Sequence, residues 1–321
     1  MKKTIIKVLL VVLVVVLSAA VFVSCAKDDG VKTITISMPD GAPALAMAKL
    51  MKEFTYEGYI INYEIVPGAN EITAKLSQKT ADIAIIPTNI ASKLYSNGID
   101  IRLISANVFG VLYLVGTEEA TSLSQLKGQK IQCIGQGGTP EFMLRFILES
   151  NGIDPDEDVT IEFRADGSEI IPLLKTGKEK FAVLGEPAAT MSGKNAGTTV
   201  LFDLQSEWEK LTGFEGYPQA SVVVSADALD KHSNFLKAFV NAMKDNAEWI
   251  KTNSHDVNLT LQERGSAVSF SSDQVIANCN IAYVKASEAK ENIKAYLETM
   301  QAYDAALVGA IPDDAFYVDI E

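Results

Sequence analysis

DGSEIIPLLKTGKEKFAVLGEP, Asp166 to Pro187, repeats the build of GANEITAKLSQKTADIAIIPT, Gly68 to Thr88. At an offset of 98 and without a gap, Glu71 meets Glu169, Ile72 meets Ile170 and Leu76 meets Leu174. Ile83-Ala84-Ile85-Ile86 then meets Phe181-Ala182-Val183-Leu184. Each stretch reads as a helical run followed by a short, fully apolar strand. Upstream, DGAPAL meets GGTPEF, with Pro43 opposite Pro140 at an offset of 97. Two units of the order strand, proline-led helix, strand, helix, strand therefore follow each other about one small domain apart. This alternation predicts an α/β fold with mostly parallel strands.

Outward from the repeat, strands are expected at TITISM, YIINYEIV, ADIAIIP, LYLVG, KIQCIG, VTIEF, EKFAVLG and ASVVVS. From Asn234 onward the pattern is mainly helical, with FLKAFVNAMKDNAEWIK the clearest case. A chain of 321 residues with 48% apolar content can bury the cores of two ordinary domains or one large one. The formal charge of -13, with no basic stripe, excludes nucleic acid as a partner.

The N-terminus reads as an address. A basic MKKTIIK precedes the apolar run VLLVVLVVVLSAAVFV, which ends at Ser24-Cys25 before the polar AKDDG. A small residue and a cysteine just after such a run resemble the lipobox of bacterial lipoproteins. The resemblance implies removal of residues 1–24, acylation of Cys25 and a tether over 25–30. A plain uncleaved membrane anchor is the alternative, and both readings export the folded part and leave it tethered. Cys133 and Cys279 are read as buried free thiols rather than a bridge. His232 and His255 lack partners at ligand spacing, so no metal site is expected.

The chemistry is concentrated where strands end and helices begin: SMPDGAPALAMAK, IAIIPTNIASKL, CIGQGGTPEFMLRF and FAVLGEPAATM. Proline suits a first helical turn, where its missing N–H would have no partner. Thr88 and Thr139 are candidate N-caps. The glycines let the backbone approach a ligand, and in open α/β sheets ligands bind beyond the carboxyl ends of the strands. GQGGTP is not a nucleotide fingerprint, because Pro140 stands where a third glycine is needed and no Gly-Lys-Ser/Thr follows. No histidine or cysteine joins the loop carboxylates Asp40, Glu141 and Glu186, and no Gly-x-Ser-x-Gly elbow occurs. The expectation is a binding protein without enzymatic turnover or cofactor. Glu141 reads as an acid favoured at a helix N-terminus, while Asp40 and Glu186 divide evenly between capping and ligand contact.

DGAPAL, TADIAIIPTNIA, LYLVG, LKGQKI with GQGGTPE, and KFAVLGEPAAT together resemble the substrate-binding lipoproteins of ABC importers in the nitrate, sulfonate and thiamine-pyrimidine group, the no-message-in-thiamine family. The resemblance covers nearly all of the chain after the signal. It implies a periplasmic-binding-protein type II fold, with two lobes, a hinge and an interlobe cleft. Lobe I would comprise 31–113 and 220–321, and lobe II 114–219, with crossings near Leu112–Gly116 and Tyr217–Val223. The implied ligand-binding residues are Asp40, Gly41, Ala42, Thr88 and Asn89 on one lobe and Gly137, Gly138, Thr139, Glu186 and Pro187 on the other. Asn107 and Tyr217 lie beside the crossings. The implied partners are a small polar molecule captured by lobe closure, an ABC permease with its ATPase, and the membrane through the lipid anchor. The protein would act as a monomer on the outer face of the cell membrane. A sensor that presents its closed form to a signalling partner is the alternative. With Asp40 and Glu186 in the loops and no Arg or Lys there, the reading leans to a pyrimidine-like heterocycle, with a sulfonate or other oxyanion second.

Overall fold

The computed structural model describes residues 30–270 and 272–321. The expected signal segment 1–24, Cys25 and the expected tether up to residue 29 lie outside the described residues. Six strands form one sheet: β1 (Lys32–Pro39), β2 (Tyr59–Val66), β3 (Ile83–Pro87), β4 (Ile101–Phe109), β10 (Pro218–Ser225) and β11 (Ile281–Lys285). The other five form a second: β5 (Leu112–Gly116), β6 (Lys130–Ile134), β7 (Thr160–Arg164), β8 (Phe181–Gly185) and β9 (Thr199–Asp203). The first sheet runs β2-β1-β3-β10-β4-β11 and the second β7-β6-β8-β5-β9. Laid side by side, the two orders agree over five strands, so the repeat in the sequence is a repeat of topology.

The expectation of mostly parallel strands is corrected to mixed sheets. β1 pairs in parallel with β2 and β3, and β6 with β7 and β8. In each sheet the fourth strand arrives from across the molecule and is antiparallel to both neighbours: β10 to β3 and β4, β5 to β8 and β9. β11 adds a further antiparallel edge to β4. The strands β4, β9 and β11 were not expected from the sequence. Arg102, Ser105 and Asn107 interrupt the apolar signal of β4, and β9 and β11 are half-exposed edge strands.

The crossings are displaced from their expected places. LYLVG, as β5, lies wholly in the second sheet and is buried along its length. The residues Tyr217–Val223 fall almost entirely on β10 of the first sheet. The chain changes sheet just before each strand, at Gly110-Val111 and between Gly213 and Tyr217. An apolar β-rich run marks the strand, and the turn that delivers it is written in the glycine ahead.

Three apolar clusters hold this frame. One lies on the outer face of the six-stranded sheet, and a small one on the outer face of the five-stranded sheet. The third is continuous through both lobes, joining Leu103 and Val223 to Leu114, Cys133 and Val183. Its centre is aromatic. Tyr217 stacks on Tyr296 of the Ala286–Tyr303 helix at 5.8 Å, and Trp208 stands edge-on to both at 6.1 and 5.8 Å. Phe142 of the Thr139–Ser150 helix closes on Tyr296 at 6.2 Å. Such pairs contribute roughly 0.5–1.5 kcal/mol each beyond the area they bury. The second passage is therefore packed from both lobes at once.

Gly110 marks the first passage. Its N–H donates to Tyr217 O at 3.1 Å, so the two passages are bonded to each other. A Cβ on Gly110 would fall 2.5 Å from Gln205 Oε1 and 2.5 Å from Tyr217 Cε1. Gly110→Ala is expected to destabilise the protein by about 1–3 kcal/mol through overpacking, read as a lower midpoint in chemical denaturation. An unchanged midpoint would show that the passages are loosely packed.

Candidate functional site

Four strand-to-helix turns border a cleft of about 660 Å³ between the lobes. The six-stranded sheet contributes the turn after β2, Pro67 to Glu71, and the turn after β3, with Pro87, Asn89 and Ile90. The five-stranded sheet contributes Gly135, Gln136, Gly138, Thr139 and Pro140 after β6, and Ala165 after β7. Gln219, just past the second passage, also lines the cleft, and its Oε1 accepts from Val111 N at 3.3 Å.

The turn after β7 opens the helix Gly167–Lys175, which Asp166 caps by accepting from Ser168 N at 2.7 Å, and the other three open Ala69–Ser77, Thr88–Ser96 and Thr139–Ser150. Their N-cap residues are Gly68, Pro87 and Gly138, and none of the three helices has a capping side-chain bond. The first-turn N–H groups of a helix have no partner within it, and they carry the positive end of the helix dipole. The cleft thus collects donors and partial positive charge from both lobes. The turn after β6 is built for close approach. Gly135 and Gly137 sit at φ 66° and 71°, and a Cβ on Gly135 would lie 2.8 Å from Pro140 Cγ. Glu141 pins the turn: Oε2 accepts from Gly137 N at 2.7 Å, while Arg145 Nε donates to Oε1 at 2.9 Å.

A neighbouring depression of about 430 Å³ shares Gly135, Gln136 and Ala165 with the cleft and adds Phe163, Arg164 and Glu169. Arg164 donates to Phe163 O at 3.0 Å and to Glu162 Oε2 at 3.3 Å. A cation therefore stands beside the cleft, at the end of β7 and outside the four loops singled out from the sequence.

Of the residues expected to bind, the cleft brings together Asn89, Gly138 and Thr139, with Gly137 in the same turn. Asn89 is buried and donates its amide to Leu307 O at 3.0 Å. Thr88 and Thr139 are not side-chain caps. Thr88 Oγ1 bonds Ser221 Oγ at 2.8 Å, and Thr139 Oγ1 bonds Tyr296 OH at 2.9 Å. Both hydroxyls bond to β10 and the Ala286–Tyr303 helix, and the N-cap positions ahead of them, Pro87 and Gly138, have no side chain that can cap. Asp40 does not line the cleft. It accepts from Gly41 N at 2.8 Å, from Ser266 Oγ, and from Ala267 N at 2.8 Å. The helix after it, Ala42–Leu45, is a single turn, and Ala42 is buried in the core. Asn107 lies inside the sheet, accepting from Ser105 Oγ at 2.6 Å and donating to Ala282 O at 3.3 Å. Tyr217 is wholly buried among the hinge aromatics. Glu186, only 8% exposed, accepts from Thr190 N at 3.1 Å, Thr190 Oγ1 at 2.7 Å and Asn278 Nδ2 at 3.1 Å. Pro187 follows it through a cis peptide bond, outside the cleft lining.

The turn after β2 is the main residue group that the sequence reading did not assign to the site. Its signal was nonetheless present, because Gly68 to Glu71 begins the repeated stretch and occupies the position of Asp166 to Glu169. Cys133 and Cys279 are free and buried. Burial, with Glu141 nearby, pushes the Cys133 thiol up to about 12; burial, with Glu186 nearby, raises Cys279 as well. Both stay protonated and inert at neutral pH. Among the described residues no group of three or more His, Cys, Asp or Glu could hold a metal, and no helix is long and apolar enough to cross a membrane.

Two α/β lobes of one topology, joined by two passages and facing each other across a cleft, define the type II fold of periplasmic binding proteins. The chain belongs to the NMT1-like family, whose model matches residues 26–261. Among solved structures it is similar to an ABC transporter protein from Parabacteroides distasonis, at 24% identity and TM-score 0.77, covering 90% of this chain and 100% of that one. It is similar to the periplasmic aliphatic sulphonate binding protein SsuA from Escherichia coli, at 14% identity and TM-score 0.69, covering 90% and 94%. It is also similar to the periplasmic nitrate-binding protein NrtA from Synechocystis PCC 6803, at 16% identity and TM-score 0.61, covering 87% and 83%. No curated protein matches the chain.

Gly135→Ala is expected to lower stability by about 1–2 kcal/mol, because an L side chain at this φ is strained and the new methyl meets Pro140. A thermal melt measures it. A melt unchanged from the parent would mean that the turn relaxes freely.

Proposed function

We propose that the protein is the extracytoplasmic solute-binding component of an ABC importer, and that its cleft takes a small solute with an oxyanion head. The observation that carries this reading is the convergence of three uncapped helix N-termini, from both lobes, on one cleft. Backbone N–H groups at helix starts suit anionic oxygens, and Arg164 beside the cleft, paired with Glu162, adds a guanidinium within reach of the opening. The carboxylates that favoured an amine-bearing or pyrimidine-like ring, Asp40 and Glu186, are held by the protein's own donors. The sulphonate and nitrate binders of the same fold bind ligands of this class by name. A solute touching both lobes stabilises the closed arrangement, and closure presents one surface to the permease. The cleft lining has no nucleophile paired with a base, so the solute is released chemically unchanged. Lobe I is assigned to 30–110 with 217–321 and lobe II to 111–216. Cys25 carries the lipid that tethers a monomer to the outer face of the membrane.

Calorimetry and thermal melts with nitrate, methanesulfonate and cytosine test the ligand class. An oxyanion is expected to bind and raise the melting temperature. Arg164→Gln should weaken that binding about three- to tenfold, more at low salt than at high, as for a partly exposed charge. Binding of cytosine with no response to either anion would reverse the assignment. Cys25→Ala should abolish the acyl mass shift and release the protein from the membrane fraction; retention with an unaltered mass shift would refute lipid attachment there.

A further inference from the structure

Residues 266–280 connect the two carboxylates that lie outside the cleft. At one end Ser266 and Ala267 donate to Asp40, at the carboxyl end of β1. At the other, Asn278 reaches the second lobe. Its Nδ2 donates to Glu186 Oε1 at 3.1 Å, just past the end of β8, and its carbonyl accepts from Tyr113 OH of β5 at 3.1 Å. Two residues on, Asn280 is fastened to the first passage: Nδ2 donates to Gly110 O at 2.7 Å, and its carbonyl accepts from Phe109 N at 3.1 Å. Asn280 holds φ 48°, a left-handed conformation that costs a side-chain-bearing residue energy.

Glu186 explains why this contact matters. It is 8% exposed and among the described residues forms no ion pair, so its partners there are the hydrogen-bond donors Thr190 and Asn278. Two of its three donors belong to Thr190 of its own lobe, and the third is Asn278 from the other. Moving the lobes apart removes that third donor from a buried carboxylate and breaks the Tyr113 bond with it. Loss of a partner to a charged buried group is among the more costly single changes available to a hydrogen bond.

We infer that the Glu186–Asn278–Tyr113 contact is an interlobe latch. It holds the lobes together at the Asp40–Glu186 side of the crevice before any solute arrives. The solute is thereby confined to the other side, where the three helix N-termini meet. The consequence for affinity rests on the proposed solute-binding role; the latch itself does not.

Hydrogen-exchange mass spectrometry of the ligand-free full chain tests it, with Asn278→Asp and the double variant Asn278→Asp with Glu186→Gln. Aspartate at 278 has nearly the same shape but sets two carboxylates against each other. Glutamine at 186 restores a donor–acceptor pair with the roles exchanged, while its Oε1 can still accept from Thr190. In the single variant, exchange is expected to rise about tenfold or more, the loss of a charge-assisted bond expressed as an opening constant. The rise should appear in peptides covering 109–116 and 184–191, and in the cleft walls 67–72 and 135–142, which touch neither residue. The double variant should return toward the parent. A rise confined to 277–282, or one that Glu186→Gln leaves uncorrected, would overturn the latch and leave Asn278 a local loop residue. A failure of the protein to bind any oxyanion would leave this measurement unaffected and would count only against the solute assignment.

Discussion

The structure depends on a topological constraint: in each sheet a strand from beyond the hinge must be inserted between strands of the repeat. β5 and β10 enter antiparallel to both neighbours, and each is buried almost throughout. A strand can leave one sheet and enter the next only where the backbone turns without a side chain in the way. Gly110 provides this at the first passage, held to Tyr217 by a backbone hydrogen bond. With both central strands fixed, the carboxyl ends of β2 and β3 come to face that of β6. The helices that start there then point their first turns into the crevice.

Side-chain hydroxyls usually cap such helix starts. Here Thr88 and Thr139 are directed elsewhere, one into the sheet against Ser221 and the other across the hinge to Tyr296. The result is a cleft whose donors come mainly from the backbone, alongside the Glu71 carboxylate in its lining. Glycine or proline at the N-cap position leaves such donors free, and only the fold shows which helix starts face one cleft.

This limits what the sequence could reveal. The repeat at offsets of 97 and 98 exposed the shared topology, and the apolar runs marked eight of the strands. The strands it hid are those with polar interruptions or an exposed face, β4, β9 and β11. The turn with Gly137, Gly138 and Thr139, and Asn89 opposite, were legible because glycine and a proline-led helix start carry a local signal. Asp40 and Glu186 looked like ligand contacts because each follows a strand end. Gly41 and Thr190 are local partners, but Ser266, Ala267 and Asn278 lie more than 90 residues away, and no local pattern announces them. Arg164 was passed over because it ends a strand that resembles ordinary edge structure. The parallel-strand expectation failed for a related reason, since strand direction is set by which lobe the chain has just left.

The aromatic cluster around Tyr217 and Tyr296 has a consequence for how the protein unfolds. Because one apolar core runs through both lobes, neither half of the repeat has a complete interior of its own. Excising 111–216 would expose Phe142, Trp208 and the inner face of the five-stranded sheet to water. Each half resembles a domain in topology, yet the thermodynamic unit is the pair. A shared aromatic core of this kind makes a single cooperative melt, rather than two, the expected unfolding behaviour.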